Sequence, residues 1–176
     1  TVQVAAIYSA GIDLLNSVAE HFEAEHPEVR VRVHYLQPHA VRERVTSQAV
    51  DFGILSYPQR WRDLSAQPLR EETMAVVCRP GHPLASRETV SPAELADQPL
   101  VGFDASLPIA SQIGSYLRRH GGNPDLSHTF DNIDTIKAYL GHSDEAAILP
   151  LRTVRREVED GILTAVRLEP ALTRPV

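Results

Sequence analysis

Two runs of alternating strand and helix patterns, each with short connections, limit most strongly how this 176-residue chain can fold. In the first run, strand patterns at 4–7, 29–36 and 50–55 are separated by amphipathic helix patterns at 11–25 and 39–48. Short connections of this β-α-β-α-β kind return each strand to one sheet in the same direction. The first run therefore predicts a parallel open sheet with helices on its faces.

A second run of the same kind follows irregular chain at 56–73 and an extended stretch at 74–79. Its strand patterns lie at 100–103, 126–131, 146–150 and 162–168, and its helix patterns at 107–119, 132–140 and 151–161. We therefore predict an α/β fold of two Rossmann-like lobes joined by two crossover segments. Lobe I should comprise residues 1–74, with 167–176 returning to it, and lobe II residues 75–166.

The junctions between strands and helices are the predicted binding positions. Ligands of parallel open sheets bind outside the carboxyl ends of the strands, where the N-terminal end of a helix favours an anion. The candidate residues are Ser9, Ala10, Gly11, Pro38, His39, Ser56, Asp104, Ala105, Ser106, Ile133, Asp134 and Thr135. If the lobes face each other, these junctions converge on one cleft lined with hydroxyl, amide and N–H groups. Such a lining suits a small anion, for example a carboxylate.

Helix capping is the competing explanation for three of these residues. Ser9, Asp104 and Asp134 each lie where a side-chain oxygen can accept from the first turn of a helix, and we favour capping for each. Asp104 and Asp134 would also repel an anionic ligand. For the helix at 132–140, either Asp131 or Asn132 is the predicted cap.

Catalytic and metal-binding motifs are absent from the sequence. There is no G-x-S-x-G elbow, no H-E-x-x-H helix and no glycine-rich phosphate loop. His21 and Glu25 are four residues apart, but they lie on the solvent side of an amphipathic helix. We therefore expect no metal site, no cofactor and no enzymatic activity. If the protein were an enzyme, His39, Asp104 and Asp134 would be the candidate acids and bases.

Composition excludes several further classes of protein. The formal net charge of -6 argues against direct binding of nucleic acid by this segment, because such binding is mainly cationic. Cys78 is the single cysteine, so an internal disulfide is impossible, and its apolar surroundings predict an inert buried thiol. No apolar run approaches the roughly 18 residues of a membrane span, and no export leader is visible.

Five segments resemble the effector-binding domain of LysR-type transcriptional regulators. They are the opening strand, serine and helix, "HPEVRVRV", "VDFGIL" with Asp51 and Gly53, "CRPGHPLA" from Cys78 to Ala85, and "DNIDTIKAYL…AAILP". The resemblance covers essentially the whole chain. It implies a fold similar to type-2 periplasmic binding proteins, with a small-molecule effector bound between the lobes by the twelve junction residues.

The resemblance also implies a function and partners. The chain would be the sensing domain of a bacterial, cytoplasmic regulator that forms dimers or tetramers. DNA would be bound by a winged helix-turn-helix that precedes Thr1 in family members, and those members continue past Val176 with a strand and a helix. The alternative is the periplasmic solute-binding protein of an importer, which would share the fold.

One segment departs from the family pattern. Ser143 and Glu145 stand in "HSDEAAILP" where family members have glycines. If this turn reaches the pocket, Glu145 would change the charge at the edge of the pocket.

Overall fold

A computed structural model describes the backbone of residues 1–176 and every side chain except those of Asp13 and Leu14. The chain folds as two units. Unit 1 comprises Thr1–Arg70 and Pro175–Val176, and unit 2 comprises Glu71–Arg174. The division therefore falls after Arg70 and after Arg174, because the whole strand that begins at Glu71 pairs within the sheet of unit 2.

Unit 1 is the parallel open sheet that the first run of patterns predicts. Its elements are β1 Val2–Ile7, α1 Ile12–Glu25, β2 Val31–Leu36, α2 Pro38–Thr46 and β3 Phe52–Ile54. The strand order is β2-β1-β3, and β1 pairs in parallel with both neighbours. The core lies between α2 and the sheet, where Val41 is fully buried. A Cβ at Gly53 would lie 2.8 Å from methyl groups of Val41 and Val45, so the glycine lets α2 pack directly on β3.

The apolar stripe of α1 is only partly buried. Leu15 and Ala19 are half-buried, but Val18 is 55% exposed and Phe22 is 40% exposed. The Phe22 ring does contact the His26 ring, with centroids 4.6 Å apart. The helix therefore presents apolar surface that the sheet of unit 1 does not cover.

Unit 2 is built on one seven-stranded sheet. Its elements are β4 Glu71–Cys78, β5 Thr89–Val90, β6 Leu100–Phe103, α3 Pro108–Arg119, β7 His128–Phe130, α4 Ile133–Leu140, β8 Ala146–Pro150, α5 Arg155–Glu159, β9 Thr164–Leu168 and β10 Thr173–Pro175. The order is β5-β9-β4-β8-β6-β7, and β10 also pairs with β4.

The sheet of unit 2 is mixed, whereas the alternating pattern predicts a parallel one. Strand β6 is parallel to β7 and β8, as expected, but β4 is antiparallel to β8 and β9. A crossover helix is what returns a strand in the parallel direction. No helix of that kind precedes β4, which is the segment by which the chain enters unit 2 from unit 1.

A buried ion pair joins β4 to β10. The Arg174 guanidinium donates to Glu72 Oε2 from Nη2 at 2.5 Å and from Nε at 3.0 Å, and both side chains are almost completely buried. Arg152 lies 4.0 Å from the other carboxylate oxygen. These strands lie at the two places where the chain passes between the units. The pair therefore links β4 to β10 through buried side chains.

Glu72→Gln should lower the free energy of unfolding by about 3–5 kcal/mol, because it leaves the charge of Arg174 buried and uncompensated. Urea unfolding followed by circular dichroism measures the change. The matched control is Glu71→Gln, which removes the same charge from the exposed neighbouring residue and should change stability by less than about 0.5 kcal/mol. Equal stability of the two variants would contradict a structural role for the pair.

Candidate functional site

Parallel pairing brings the predicted residues of unit 1 to one edge of its sheet. Ile7 at the end of β1 is the register partner of Leu36 at the end of β2, and Ala6 is the partner of Ile54 at the end of β3. The six candidates follow these three strand ends in the chain. They are Ser9, Ala10, Gly11, Pro38, His39 and Ser56.

The Tyr8–Gly11 junction is a tight turn in front of α1. Residues Tyr8–Ala10 form one turn of 3-10 helix, and Gly11 has φ 109°, a conformation that favours glycine. Helix α1 begins at Ile12, and no described side chain caps it. Because Tyr8–Ala10 form this turn, Gly11 is the residue at the N-cap position of α1. The expectation that Ser9 caps α1 stays a prediction.

Arg70 supports this junction from a distant part of the sequence. Its Nη2 donates to the Ala10 carbonyl oxygen at 2.5 Å, and the Ala10 side chain is buried beneath the turn. Arg70 was not among the predicted site residues, because residues 56–73 have no strand or helix periodicity. Its role is positioning: it orients the backbone on which Ser9 and Gly11 lie.

The other two junctions of unit 1 have different characters. Pro38 occupies the first turn of α2, which begins after Gln37 without a described side-chain cap, and His39 is exposed at this helix end. Ser56 is half-buried after β3. The next residue, Tyr57, has φ 51°, and its N–H donates to the Pro175 carbonyl at 2.9 Å.

Asp104 and Ser106 form a closed turn at the carboxyl end of β6. The Asp104 carboxylate accepts from the Ser106 N–H at 2.9 Å and from the Ser106 hydroxyl at 2.6 Å. These hydrogen bonds, that of the hydroxyl first, lower the pKa of Asp104, so it is ionised at neutral pH. Helix α3 begins only at Pro108, and no described side chain caps it. The expectation that Asp104 caps α3 is therefore wrong.

Asn132 is the cap of α4, and this settles the choice between it and Asp131. Its side-chain oxygen accepts from the Thr135 N–H at 2.9 Å and from the Thr135 hydroxyl at 3.0 Å. Asp134 lies in the first turn and pairs with Lys137 at 3.2 Å, so the expectation that it caps α4 is also wrong. Ile133 is buried at the same turn.

The predicted residues of unit 2 also share one sheet edge. Strands β6 and β7 are parallel, with Phe103 and Phe130 in register, and the Asp104 N–H donates to the Phe130 carbonyl at 2.8 Å. The turn of Asp104, Ala105 and Ser106 and the start of α4 therefore follow neighbouring strand ends. Lys137 lies 3.2 Å from Asp134 and 2.8 Å from Glu157. Asp104 and Asp131 are further acidic residues that follow these strand ends.

Glu145 lies at the opposite edge of the sheet. It directly precedes β8, whose first residue, Ala146, is in register with Leu100 at the start of β6. Its Oε1 is 3.6 Å from His128 Nδ1 at the start of β7. Glu145 is thus at the amino ends of the strands and is not grouped with the predicted binding residues.

The segment from Cys78 to Ala85 is structural. His82 is 4% exposed, and its Nδ1 accepts from the Leu84 N–H at 3.1 Å, which caps the 3-10 turn Pro83–Ser86. Burial lowers the pKa of His82. Cys78 is fully buried, as its apolar surroundings predict, and burial raises its pKa to about 11. The thiol is therefore not a nucleophile at neutral pH.

Neither a cluster of metal ligands nor a membrane-spanning helix is found among the described residues. Among them, no three His, Cys, Asp or Glu side chains are grouped so that they could hold a metal ion. Within the same part of the chain, no helix has the length and apolar character needed to span a membrane.

Solved structures with the same fold are regulatory domains of transcription factors. The effector-binding domain of QuiR in complex with shikimate superposes with a TM-score of 0.86 at 16% identity, over 99% of this chain and 84% of that one. The reduced OxyR regulatory domain from Pseudomonas aeruginosa gives a TM-score of 0.84 at 18% identity, over 99% and 85%. These likenesses define a domain with the periplasmic-binding-protein-like fold of LysR effector-binding domains.

The sequence comparisons then give the family. The LysR substrate binding domain model matches residues 1–176, and the chain belongs to this family. The SDS degradation transcriptional activation protein of a Pseudomonas species is 30% identical over 92% of this chain and 53% of its own length. The regulator CysB of Haemophilus influenzae is 29% identical over 72% and 40%. The chain thus spans about half the length of these relatives, which are transcriptional regulators, and the importer alternative is not favoured.

Lowering the pH should destabilise the fold through His82. Because burial lowers its pKa, the fold prefers the neutral imidazole. The stability that the neutral imidazole contributes is fully present above the unfolded-state pKa of about 6.5. It is lost as the pH falls through the lower folded-state pKa. The groups that face the ring are Asp144 and Arg79.

We expect the melting temperature of His82→Asn to fall less than that of the parent between about pH 7.5 and about pH 5. Asparagine can still accept from the Leu84 N–H but does not titrate. His39→Asn, which changes an exposed histidine, should retain the pH dependence of the parent. Parallel curves for the parent and His82→Asn would contradict this role.

Proposed function

We propose that the chain is the effector-sensing domain of a cytoplasmic LysR-type regulator and that it binds a small molecule without transforming it. The observation that carries the proposal is the placement of the twelve candidates at the carboxyl edges of two sheets. Parallel α/β sheets bind ligands at that edge. The relatives of the chain are transcriptional regulators, which supports a sensor rather than an enzyme.

The chemistry of these edges favours a small anion, for instance a carboxylate with hydroxyl groups. Helices α1 and α2 begin shortly after the ends of β1 and β2, and the N-terminal end of a helix attracts negative charge. Ser9 and Thr135 add hydroxyl groups that can contact ligand oxygens. The shikimate that QuiR binds in its solved complex is a ligand of this kind.

The proposed output is a change in the oligomer. A ligand shifts a conformational equilibrium only by its differential affinity for the two states. We propose that the bound state alters the pairing of sensing domains and so repositions DNA-binding domains in the complete regulator. This segment, with its net charge of -6, would not contact DNA itself.

A thermal-shift screen of this chain against small carboxylates, phosphates, sulfate and amino acids tests the binding proposal. A ligand at a hundred times its dissociation constant should stabilise the fold by about 2.7 kcal/mol. The melting temperature should then rise by roughly 5–11 °C. Turnover of the ligand that produces the shift would contradict the proposal that the domain is only a sensor.

Ser9→Ala and Thr135→Ala should each weaken binding of that ligand by about tenfold, because each removes a hydrogen bond to a charged group. Isothermal titration calorimetry measures the affinity. The matched controls are Ser17→Ala and Thr46→Ala, which remove hydroxyl groups from helix positions away from the strand ends. Unchanged affinity in both test variants would refute the site, and loss in one alone would restrict it to that unit.

We further propose that the exposed part of α1 contributes to self-association, because Val18 and Phe22 place uncovered apolar side chains four residues apart on one helix. Val18→Glu combined with Phe22→Glu should shift the chain towards the monomer in light scattering after gel filtration. Ala24→Glu adds charge to another face of α1 and should leave the distribution unchanged. An unaltered oligomer in the double variant would place the interface elsewhere.

A further inference from the structure

Unit 2 contains a cavity that the predicted site does not explain. It has a volume of about 420 Å³ and lies between α3, the strands β6 and β7, and the loop that carries Pro124 and Leu126. This volume is within the range of small-molecule pockets, which is roughly 300–1,000 Å³. Asp104 and Ala105 lie at one end, but the rest of the lining belongs to the body of α3, to the sheet and to the loop.

Small residues line this space. Ala110 and Gly114 lie four residues apart on α3, and Gly102 lies on β6. Leu126 fills the place that a side chain at Gly102 would take, because a Cβ there would be 2.5 Å from its Cδ1. The remaining walls are mostly apolar and include Ile113, Leu117 and Ile148.

Arg118 supplies a positive charge at the other end of the cavity. Its guanidinium lies 3.3 Å from where a Cβ on Gly114 would be, so the side chain folds back along α3. Its recorded hydrogen bond is a long one of 3.4 Å to the Ser115 hydroxyl, and among the described residues it forms no ion pair. The Asp104 carboxylate, by contrast, already accepts two hydrogen bonds from Ser106. The cavity therefore offers an apolar body and one available cation.

We propose that this cavity is a second small-molecule site, which binds an apolar compound with a terminal carboxylate paired to Arg118. Ala110 and Arg118 are eight residues apart, which corresponds to about 12 Å along α3 and suits an elongated ligand. Thr129 lies on the wall formed by β7 and offers a hydroxyl group to the ligand. This site needs no residue of unit 1, but Asp104 and Ala105, which belong to the predicted effector site, lie at one of its ends.

Titration of the ¹⁵N-labelled chain with 4-phenylbutyrate tests the proposal, with the neutral 4-phenylbutyramide as a matched ligand. Amide signals of residues 100–129 should shift with saturation, whereas those of residues 8–12 should not. Arg118→Gln should weaken binding of the carboxylate about tenfold and leave binding of the amide almost unchanged. Arg119→Gln, which removes the same charge from the next residue and does not line the cavity, should bind both compounds like the parent.

Ala110→Phe places a ring in the cavity and should abolish binding of both compounds, while Ser9→Ala should bind them normally. The proposal is overturned if no shifts appear in residues 100–129, or if Arg118→Gln and Arg119→Gln weaken carboxylate binding equally. It is also overturned if the Ala110→Phe chain, shown to be folded by its spectrum, binds like the parent. Since Asp104 and Ala105 of the predicted effector site lie at one end of the cavity, the variants Ser9→Ala, Ala110→Phe and Arg118→Gln separate the two sites, rather than the position of the shifts alone.

Discussion

Parallel strand pairing is the constraint from which the functional geometry of this chain follows. In unit 1, β1 pairs in parallel with both β2 and β3. In unit 2, β6 pairs in the same way with β7 and β8. Since every crossover must then start at the same edge, polar junctions that are far apart in the sequence become neighbours. For the same reason Glu145 does not lie with these junctions, because Glu145 precedes a strand whereas the junctions follow one.

Capping distinguishes one junction from the others. Among the described side chains, a capping hydrogen bond is recorded for α4, from Asn132, and none for α1, α2 or α3. At α4 a ligand oxygen would compete with the Asn132 side chain for the Thr135 N–H. The proposed contact at α4 is therefore the Thr135 hydroxyl, which would turn its proton from Asn132 towards the anionic ligand.

Periodicity predicted most of the architecture because burial imposes it. The helices α1 to α4 and the strands of unit 1 lie where apolar residues recur, with ends displaced by at most two residues. Pattern alone did not show the antiparallel direction of β4, since an apolar strand has the same sequence in either orientation. The two-residue strand β5 and the short β10 are too brief to have a period. The two incorrect capping assignments, of Asp104 and Asp134, share a cause, because each depends on the residue at which a helix begins.

The residues that the sequence did not indicate act through tertiary contacts. Arg70 lies in aperiodic chain and meets Ala10 only after folding. Ala110 and Gly114 fit an ordinary helix, and only the folded chain shows that they line a cavity. The buried pair of Glu72 and Arg174 is separated by 102 residues, so the local sequence does not mark it.

The chemistry of Cys78 has a practical consequence. The chain has one cysteine, and that thiol is fully buried with its pKa raised to about 11. Maleimides and nitroxide thiosulfonates react with exposed thiolates, so they should leave the native fold unlabelled. Two cysteines introduced at the surface would then carry a pair of dyes or spin labels, with Cys78 retained in the core. Distance measurements by fluorescence or electron resonance could therefore follow ligand-driven motion without any change to the core.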